Sequence, residues 1–328
     1  MQVIIPVAGK GTRLRPHTHT KAKPLVHVAG KPVLAHILDS IKDNKNISEV
    51  IFITGYLGNQ IKEFVIKNYK FKTKFVEQKE LNGQASAVKL TEKFIHEDVI
   101  IWFVDTISNA KISDLSNVKE DGAIYVKMVE DPKRFGQIKA NSSKIIMKIK
   151  EKADPPISNL VNIGLYYVKN YKLMFKCINE LISDKKLKKG EYYLMDAFQM
   201  MINEGAKFKS LEVDVWEDCG TPEALLATNR YFLQKSKKQG GKEKNSIIIP
   251  PVYIEDDAVI ENSIIGPNVS ISSNAAIKNS IVKDSIINEG AHLENSMLNK
   301  SIIGENTVFK GEFKKLNLGD SSEIEDSQ

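Results

Sequence analysis

The segment PVAGKGTRLRP, Pro6 to Pro16, places two glycines, a lysine and two arginines directly after the apolar run MQVII. Gly9 and Gly11 carry no Cβ, so their backbone N–H groups can approach phosphate oxygens. Arg13 can fork onto a pyrophosphate, and Lys23 can act on it as a point charge. The chemistry this offers is anion binding. It is not a Walker A loop, because no Gly-Lys-Ser/Thr follows at the required spacing, and it is not a GxGxxG turn. The plainer reading of Arg13 and Lys23 is solvated surface charge; their place around a glycine turn favours a functional role, less so for Lys10 and Arg15.

Such a loop needs a sheet to hold it. Strand-like runs QVIIPV, EVIFITG, TKFVEQ, DVIIWFVD, GAIYVKMVE and NLVNIGLYYV alternate with helical stretches up to about residue 230. In VLAHILDSIKDN the apolar residues Leu34, Ile37, Leu38 and Ile41 recur at helical spacing, and NQIKEFVIKNY and GQASAVKLTEKF are similar. Continuous apolar strands such as VIIWFV suit a mostly parallel sheet covered on both faces. An α/β fold follows, with candidate ligands at the carboxyl ends of its strands, where Asp105 ends one apolar run.

The bulk properties narrow the partners. The chain has 328 residues, 42% hydrophobic and 27% charged, enough for two domains with real cores. Its net charge of +6 comes from 47 basic against 41 acidic residues, with no basic cluster interleaved with aromatics, so nucleic acid is not an expected partner. No apolar run is long enough to span a bilayer and no signal peptide is read at the N-terminus, so a cytoplasmic location away from membranes is expected. Cys177 and Cys219 show no ligand or disulfide spacing and read as reduced thiols. His17, His19, His27 and His36 read as surface and helix residues, not a metal site.

The second part has a different grammar. QKSKKQGGKEKNS, residues 234–246, is polar and basic and reads as a linker. After it, a phrase of Ser and two aliphatic residues begins at Ser246, Ser263 and Ser280, seventeen apart, and again at Ser285, Ser296 and Ser301. Tyr253, Val259, Ile265, Ile271 and Ile277 are six apart, as are Ile287 and Leu293, and Ile303 and Phe309, with breaks near Lys283 and Lys300. A six-residue aliphatic period with about three hexads per coil predicts a hexapeptide left-handed parallel β-helix over residues 247–318, each hexad placing one side chain in a triangular core. The acidic tail 319–328 is expected to be disordered.

The first 230 residues resemble the sugar-1-phosphate nucleotidyltransferases, whose motifs occur here in order. GKGTRLRP and KPLVHVAGKP match the opening signature; VEQKELNGQASA matches the base-recognition segment; FVD, EDPKRFGQI, KEKADPPISN, GEYYLMDA and VWEDCGTPEALLATN follow. Among these enzymes the chain looks most like the long glucose-1-phosphate thymidylyltransferases. The resemblance departs at Ala8, in place of the loop's first glycine, at Thr106, where many members have Asn, and at Ala153, in place of Pro.

The resemblance implies a Rossmann-like nucleotidyltransferase domain over residues 1–233 and a set of roles. Ala8, Gly9, Gly11 and Thr12 would hold the nucleotide, with Gln78 reading the base edge and Gly83 letting the base lie close to backbone. Arg13, Lys23 and Lys152 would neutralise phosphate charge in catalysis. Phe135, Gly136, Glu151, Lys152 and Asn162 would bind the sugar phosphate. Asp105 and Asp218 would hold Mg²⁺, an ion that favours carboxylates and phosphate oxygens. Each residue also has a plain reading: a strand-end carboxylate as a cap, Glu151 and Lys152 as a surface pair, Gln78 as an edge polar residue.

The expected activity is transfer from a nucleoside triphosphate, dTTP for preference, to a sugar 1-phosphate, glucose 1-phosphate for preference, in a homo-oligomer. Uridylyl- or guanylyltransfer is the near alternative. A bifunctional enzyme with an acyltransferase β-helix is a second, for which His292 is the one histidine after residue 96. A non-catalytic nucleotide-sugar-binding regulator is a third; it predicts loss of the cationic loop or the carboxylates, and both are present.

Overall fold

Gln2–Pro6 (QVIIP) is buried on both faces, and the pleat sends its side chains alternately into two cores. Ile4 joins Ile51, Ile53 and Ile101 on one side of the sheet, while Val3 and Ile5 join Phe52 and Ile100 on the other. This is why these strands read as unbroken apolar runs instead of alternating ones. The computed structural model describes residues 1–185, 187, 190–235 and 240–312. Contacts divide the chain into two units, Met1–Thr228 and Asn229–Gln328.

In the first unit Gln2–Pro6 pairs in parallel with Glu49–Thr54 and Val99–Trp102, and Glu49–Thr54 with Thr73–Glu77. The carboxyl ends of these four strands share one edge. Beyond Val99–Trp102 the sheet turns antiparallel: Leu160–Val168 pairs with Val99–Trp102, Gly122–Met128 and Gly136–Ala140. The nine-stranded sheet is therefore mixed, with a parallel half and a largely antiparallel half. The expected helices form at Val33–Ile41, Gly58–Asn68 and Gln84–Lys89. A separate two-stranded ribbon joins Thr106–Ser108 to Trp216–Asp218.

The second unit stacks short parallel strands into three sheets, one per side of a coil, consistent with the expected left-handed β-helix. Ile254, Ile260, Ile265, Ile271, Ile277, Val282, Ile287 and Leu293 fill its centre. The phase differs from the strict six-residue reading. Tyr253 and Val259 lie outside the core and Phe309 is exposed, because the inward steps run six, five, six in the first coils and one corner loses a residue later. That shortening, from Ile265–Ser270 to Val282–Ile286 in paired rungs, is the break seen near Lys283.

The corners are wired from coil to coil. Asn245, Asn262, Asn279 and Asn295 all hold φ between 48° and 54°, and each amide donates to the next at 3.4, 3.2 and 3.1 Å. Asn tolerates this left-handed region better than most side chains. Beside them, the Ser246 hydroxyl accepts from Ser263 N, Ser263 from Ser280 N and Ser280 from Ser296 N, at 3.0–3.1 Å.

The expected linker differs from what forms. Lys242–Lys244 is already a strand, paired with Val259–Glu261, because the first coil needs that rung to cover Ile260. Residues 236–239 of that linker, 313–318 of the expected β-helix and the tail 319–328 lie outside the described residues. Among the described residues no helix is long and apolar enough to cross a membrane.

Candidate active site

The loops after the parallel strands gather the candidate groups. Gly9 follows Gln2–Pro6; Gln78 follows Thr73–Glu77; Asp105 follows Val99–Trp102. A backbone bond from Gln78 N to Thr54 O, 2.8 Å, ties one of these loops to its neighbour strand. Asp218 comes from far along the chain, yet the two-stranded ribbon sets it opposite Thr106, and Cys219 N donates to Asp105 O at 3.2 Å. The two carboxylates are thus held side by side by backbone pairing.

Two cavities meet at this edge. The larger, about 1100 Å³, is lined by Arg13, Gly136, Glu151, Lys152, Asn162 and Asp218, among others. The smaller, about 350 Å³, is lined by Ala8, Gly9, Lys23, Gln78, Leu81 and Gly83, among others. Four residues, Gln84, Phe103, Asp105 and Glu191, line both. Asp105 therefore stands on the wall between the two compartments.

The glycines of the opening loop differ in what they do. A Cβ at Gly9 would meet nothing within 4 Å, so this backbone is open to a ligand. Gly11 has φ +63, and a Cβ there would lie 2.8 Å from Lys23 Cβ. Gly11 thus seats the lysine stem under the loop. Gly11 and Thr12 are not among the residues lining the two cavities; Thr12 is exposed, one residue before Arg13. At Gly83, φ +114, the space for a side chain is taken by the main chain of Tyr192, 2.5 Å away. Its missing side chain serves that close approach, and Gly83 lines the smaller cavity as well.

The other wall is built on the antiparallel half of the sheet. A Cβ at Gly136 would strike Asn162 Nδ2 and Glu151 Oε2, so both polar groups converge over this glycine. Asn162 Nδ2 donates to Gly136 O at 3.1 Å. Lys152 takes φ 46, a region costing an ordinary side chain about 1–2 kcal/mol, and its Nζ lies 5.1 Å from the Tyr193 ring centroid. Phe135 meets Trp216 edge to face at 5.1 Å. Sequence reasoning assigned no role to Phe103, Gln84, Glu191, Tyr193 or Trp216, although all five lie inside motifs already quoted.

Charge is arranged around the carboxylates. Lys23 Nζ bonds Asp105 Oδ2 at 2.8 Å. Burial works to raise the Asp105 carboxyl, but the Lys23 charge and bond outweigh it and hold it below the ordinary value. Asp218 is raised, first by burial and then by the charge of Asp105, with Lys23 and Arg13 opposing. Two carboxylates that disfavour each other's ionisation suit a shared cation. No group of three or more His, Cys, Asp or Glu able to hold a metal occurs among the described residues. The set fits Mg²⁺, which takes one or two protein carboxylates and completes its octahedron with substrate phosphate oxygens and water. His36 instead bonds Val28 O, and burial pushes it down to about 4. His292 sits in the second unit, in a cavity of about 300 Å³ with Lys278 and Glu294.

Fold and site together define an α/β protein that sets two carboxylates, Asp105 and Asp218, beside Lys23 and Arg13 at the carboxyl edge of its parallel strands. The nucleotidyl transferase family profile matches residues 2–235, and the GlmU-like C-terminal hexapeptide profile matches residues 229–314. The chain is 34% identical over 263 residues to the bifunctional protein GlmU of Methanocaldococcus jannaschii, covering 79% of this chain and 61% of that protein. It is 32% identical over 235 residues to the UTP–glucose-1-phosphate uridylyltransferase AglF of Haloferax volcanii, covering 68% and 93%. A solved structure of a putative glucose-1-phosphate thymidylyltransferase from Bacillus anthracis superimposes with TM-score 0.58 at 25% identity, covering 70% and 94%. The chain belongs to the sugar-1-phosphate nucleotidyltransferase family.

Proposed function

We propose that the chain transfers a nucleotidyl group from a nucleoside triphosphate to a sugar 1-phosphate, releasing pyrophosphate. The observation that carries this is the pair of cavities meeting at Asp105, with Ala8, Gly9 and Lys23 on one side and Arg13, Glu151, Lys152 and Asn162 on the other. A sugar-phosphate oxygen attacks the α-phosphorus in line, and the bond to the β-phosphate oxygen breaks. The nucleophile is already an anion, so no base removes a proton. The barrier is the meeting of two polyanions, and the contribution of the protein is positioning and neutralisation. Arg13 and Lys23 serve the triphosphate, and Lys152 serves the sugar phosphate. Glu151 and Asn162 bond sugar hydroxyls, and Gln78 reads the base. Mg²⁺ held by Asp105 and Asp218 would supply charge neutralisation on the reacting phosphates.

UTP and glucose 1-phosphate are the substrates best supported, by the likeness to AglF over 93% of its length. A second reading, dTTP, is favoured by the motif resemblance and the likeness to the B. anthracis structure. A cytoplasmic homo-oligomer belongs to the same proposal. Exposed aliphatics aligned on one side of the β-helix, Ile247 at 59%, Ile281 at 40% and Met297 at 81%, support subunit contact there. The test is pyrophosphate release with Mg²⁺ across UTP, dTTP, GTP, ATP and CTP and a panel of sugar 1-phosphates. Turnover is expected with a pyrimidine triphosphate and a hexose 1-phosphate; no release with any pair would reject the activity.

A further inference from the structure

Lys23 reaches from beneath the opening loop to the acid on the wall between the two cavities. Its Nζ makes a 2.8 Å ion pair with Asp105 Oδ2, and its side chain is only 15% exposed. A charge-assisted bond with so little water around the ammonium is a firm one. The stem is fixed at its base: Lys23 opens the turn Lys23–Leu25, and its Cβ fills the space that Gly11 leaves. The rest of the four-carbon chain can swing, and it lines the smaller cavity with Ala8 and Gly9.

A divalent cation on Asp105 would bind the same carboxylate directly, at about 2.0–2.1 Å for Mg²⁺. Lys23 occupies Oδ2 and leaves Oδ1 open, but an ammonium and a dication on the two oxygens of one carboxylate lie within a few ångströms of each other and repel. We propose that Lys23 and the divalent cation compete for Asp105, so that metal binds well only when a nucleoside triphosphate offers Lys23 another anion. This rests on the reading of Asp105 and Asp218 as the metal ligands. Lys23 is then a positioning residue as well as a phosphate contact. It keeps Asp105 ionised and in place, then moves to the triphosphate as the metal arrives with it. No bond is made or broken in this exchange; one cation replaces another at a carboxylate.

The test is Mn²⁺ binding to the full chain at pH 8, read by electron paramagnetic resonance of the free ion, without nucleotide. Lys23→Met should bind Mn²⁺ at least tenfold more tightly than wild type, and Lys23→Gln should do the same. Lys23→Arg, which keeps charge and reach, should stay near wild type. Arg13→Gln removes an equal charge that acts on both carboxylates without an ion pair to Asp105, so it should raise affinity by no more than a third of the factor seen in the lysine variants. With α,β-methylene-UTP present, wild type should gain affinity far more than Lys23→Met does. An unchanged affinity in both Lys23→Met and Lys23→Gln, or an equal gain in Arg13→Gln, overturns the competition. Asp105→Asn separates the two levels. If it binds Mn²⁺ as wild type does, the metal-site reading itself fails; if it loses Mn²⁺ while the lysine variants gain nothing, only the competition fails.

Discussion

Tyr166 donates a 2.6 Å hydrogen bond to Oδ1 of Asn162. Gly164 N donates to the same oxygen at 3.2 Å, which leaves the Asn162 amino group to face Gly136 O. The tyrosine is buried, with its ring against Phe103 and Phe198, and burial first and the charges of Glu151 and Asp105 next raise its hydroxyl well above the ordinary value. It is a neutral donor at any working pH, and it fixes which end of the Asn162 amide the larger cavity meets.

Tyr166→Phe should therefore cost about 1 kcal/mol of stability for the lost bond. The KM for sugar 1-phosphate should rise severalfold while that for nucleoside triphosphate stays within twofold. Steady-state kinetics and a thermal melt on one preparation check both; an equal rise in the two KM values would assign the effect to general loosening.

Gly220 leaves a gap that two charged groups use. A Cβ there would lie 2.9 Å from Asp218 Oδ1 and 3.0 Å from Arg13 Nη2. Both contacts are ends of side chains, so they can give way cheaply but not without leaving their places. Gly220→Ala should melt within a few degrees of wild type and lose at least tenfold in kcat. A near-normal kcat would show that neither position is critical.

Asp218 has a pH signature of defined sign. Its carboxyl is raised by burial and by Asp105, so the folded chain holds that proton more tightly than the unfolded chain does. The ionised form then subtracts from stability above the raised value, and the penalty vanishes below the unfolded value of about 4. In chelator, Asp218→Asn should melt higher than wild type at pH 7.5, with the difference shrinking as pH falls. Divalent-metal affinity of wild type should move oppositely, weakening as pH falls, because protons compete with the metal for the carboxylate. Differential scanning fluorimetry and metal titrations across the same pH range test the pair.

Lys152→Ala should weaken sugar 1-phosphate binding about tenfold or more and triphosphate binding little. Isothermal titration with each ligand alone decides. An equal loss for both would place Lys152 on the triphosphate or in a structural role.

Much of the site is legible in the sequence where a residue's role follows from local geometry. Gly9, Gly11 and Arg13 follow a first strand, and Asp105 comes three residues after another, so the edge they share follows from the strand pattern. Tyr166, Phe103 and Tyr193 are not legible in this way. Whether they face the cavity depends on the register of an antiparallel strand and on the loop after Gly190, which no local pattern encodes. Gly83 reads as a glycine needed for close approach, but the approaching group is Tyr192 backbone, known only in three dimensions. The coil period is visible, yet its phase is not: in Ser263-Ile264-Ile265 the first aliphatic lies outside the core and the second inside it, though Ile264 and Ile265 look alike in sequence.

The four corner asparagines of the β-helix have one more consequence. Nδ2 of Asn245, Asn262 and Asn279 each points at the Oδ1 of the following coil, so the side-chain dipoles run head to tail in a single direction. Turning one amide over would set oxygen against oxygen on one side and amino group against amino group on the other. The row is therefore ordered as a unit, and each dipole polarises the next. Asn262 and Asn279, in the middle of the row, hold its orientation from both sides, whereas Asn245 and Asn295 hold it from one. The β-helix thus carries a polarity along its axis in its side chains as well as in its backbone.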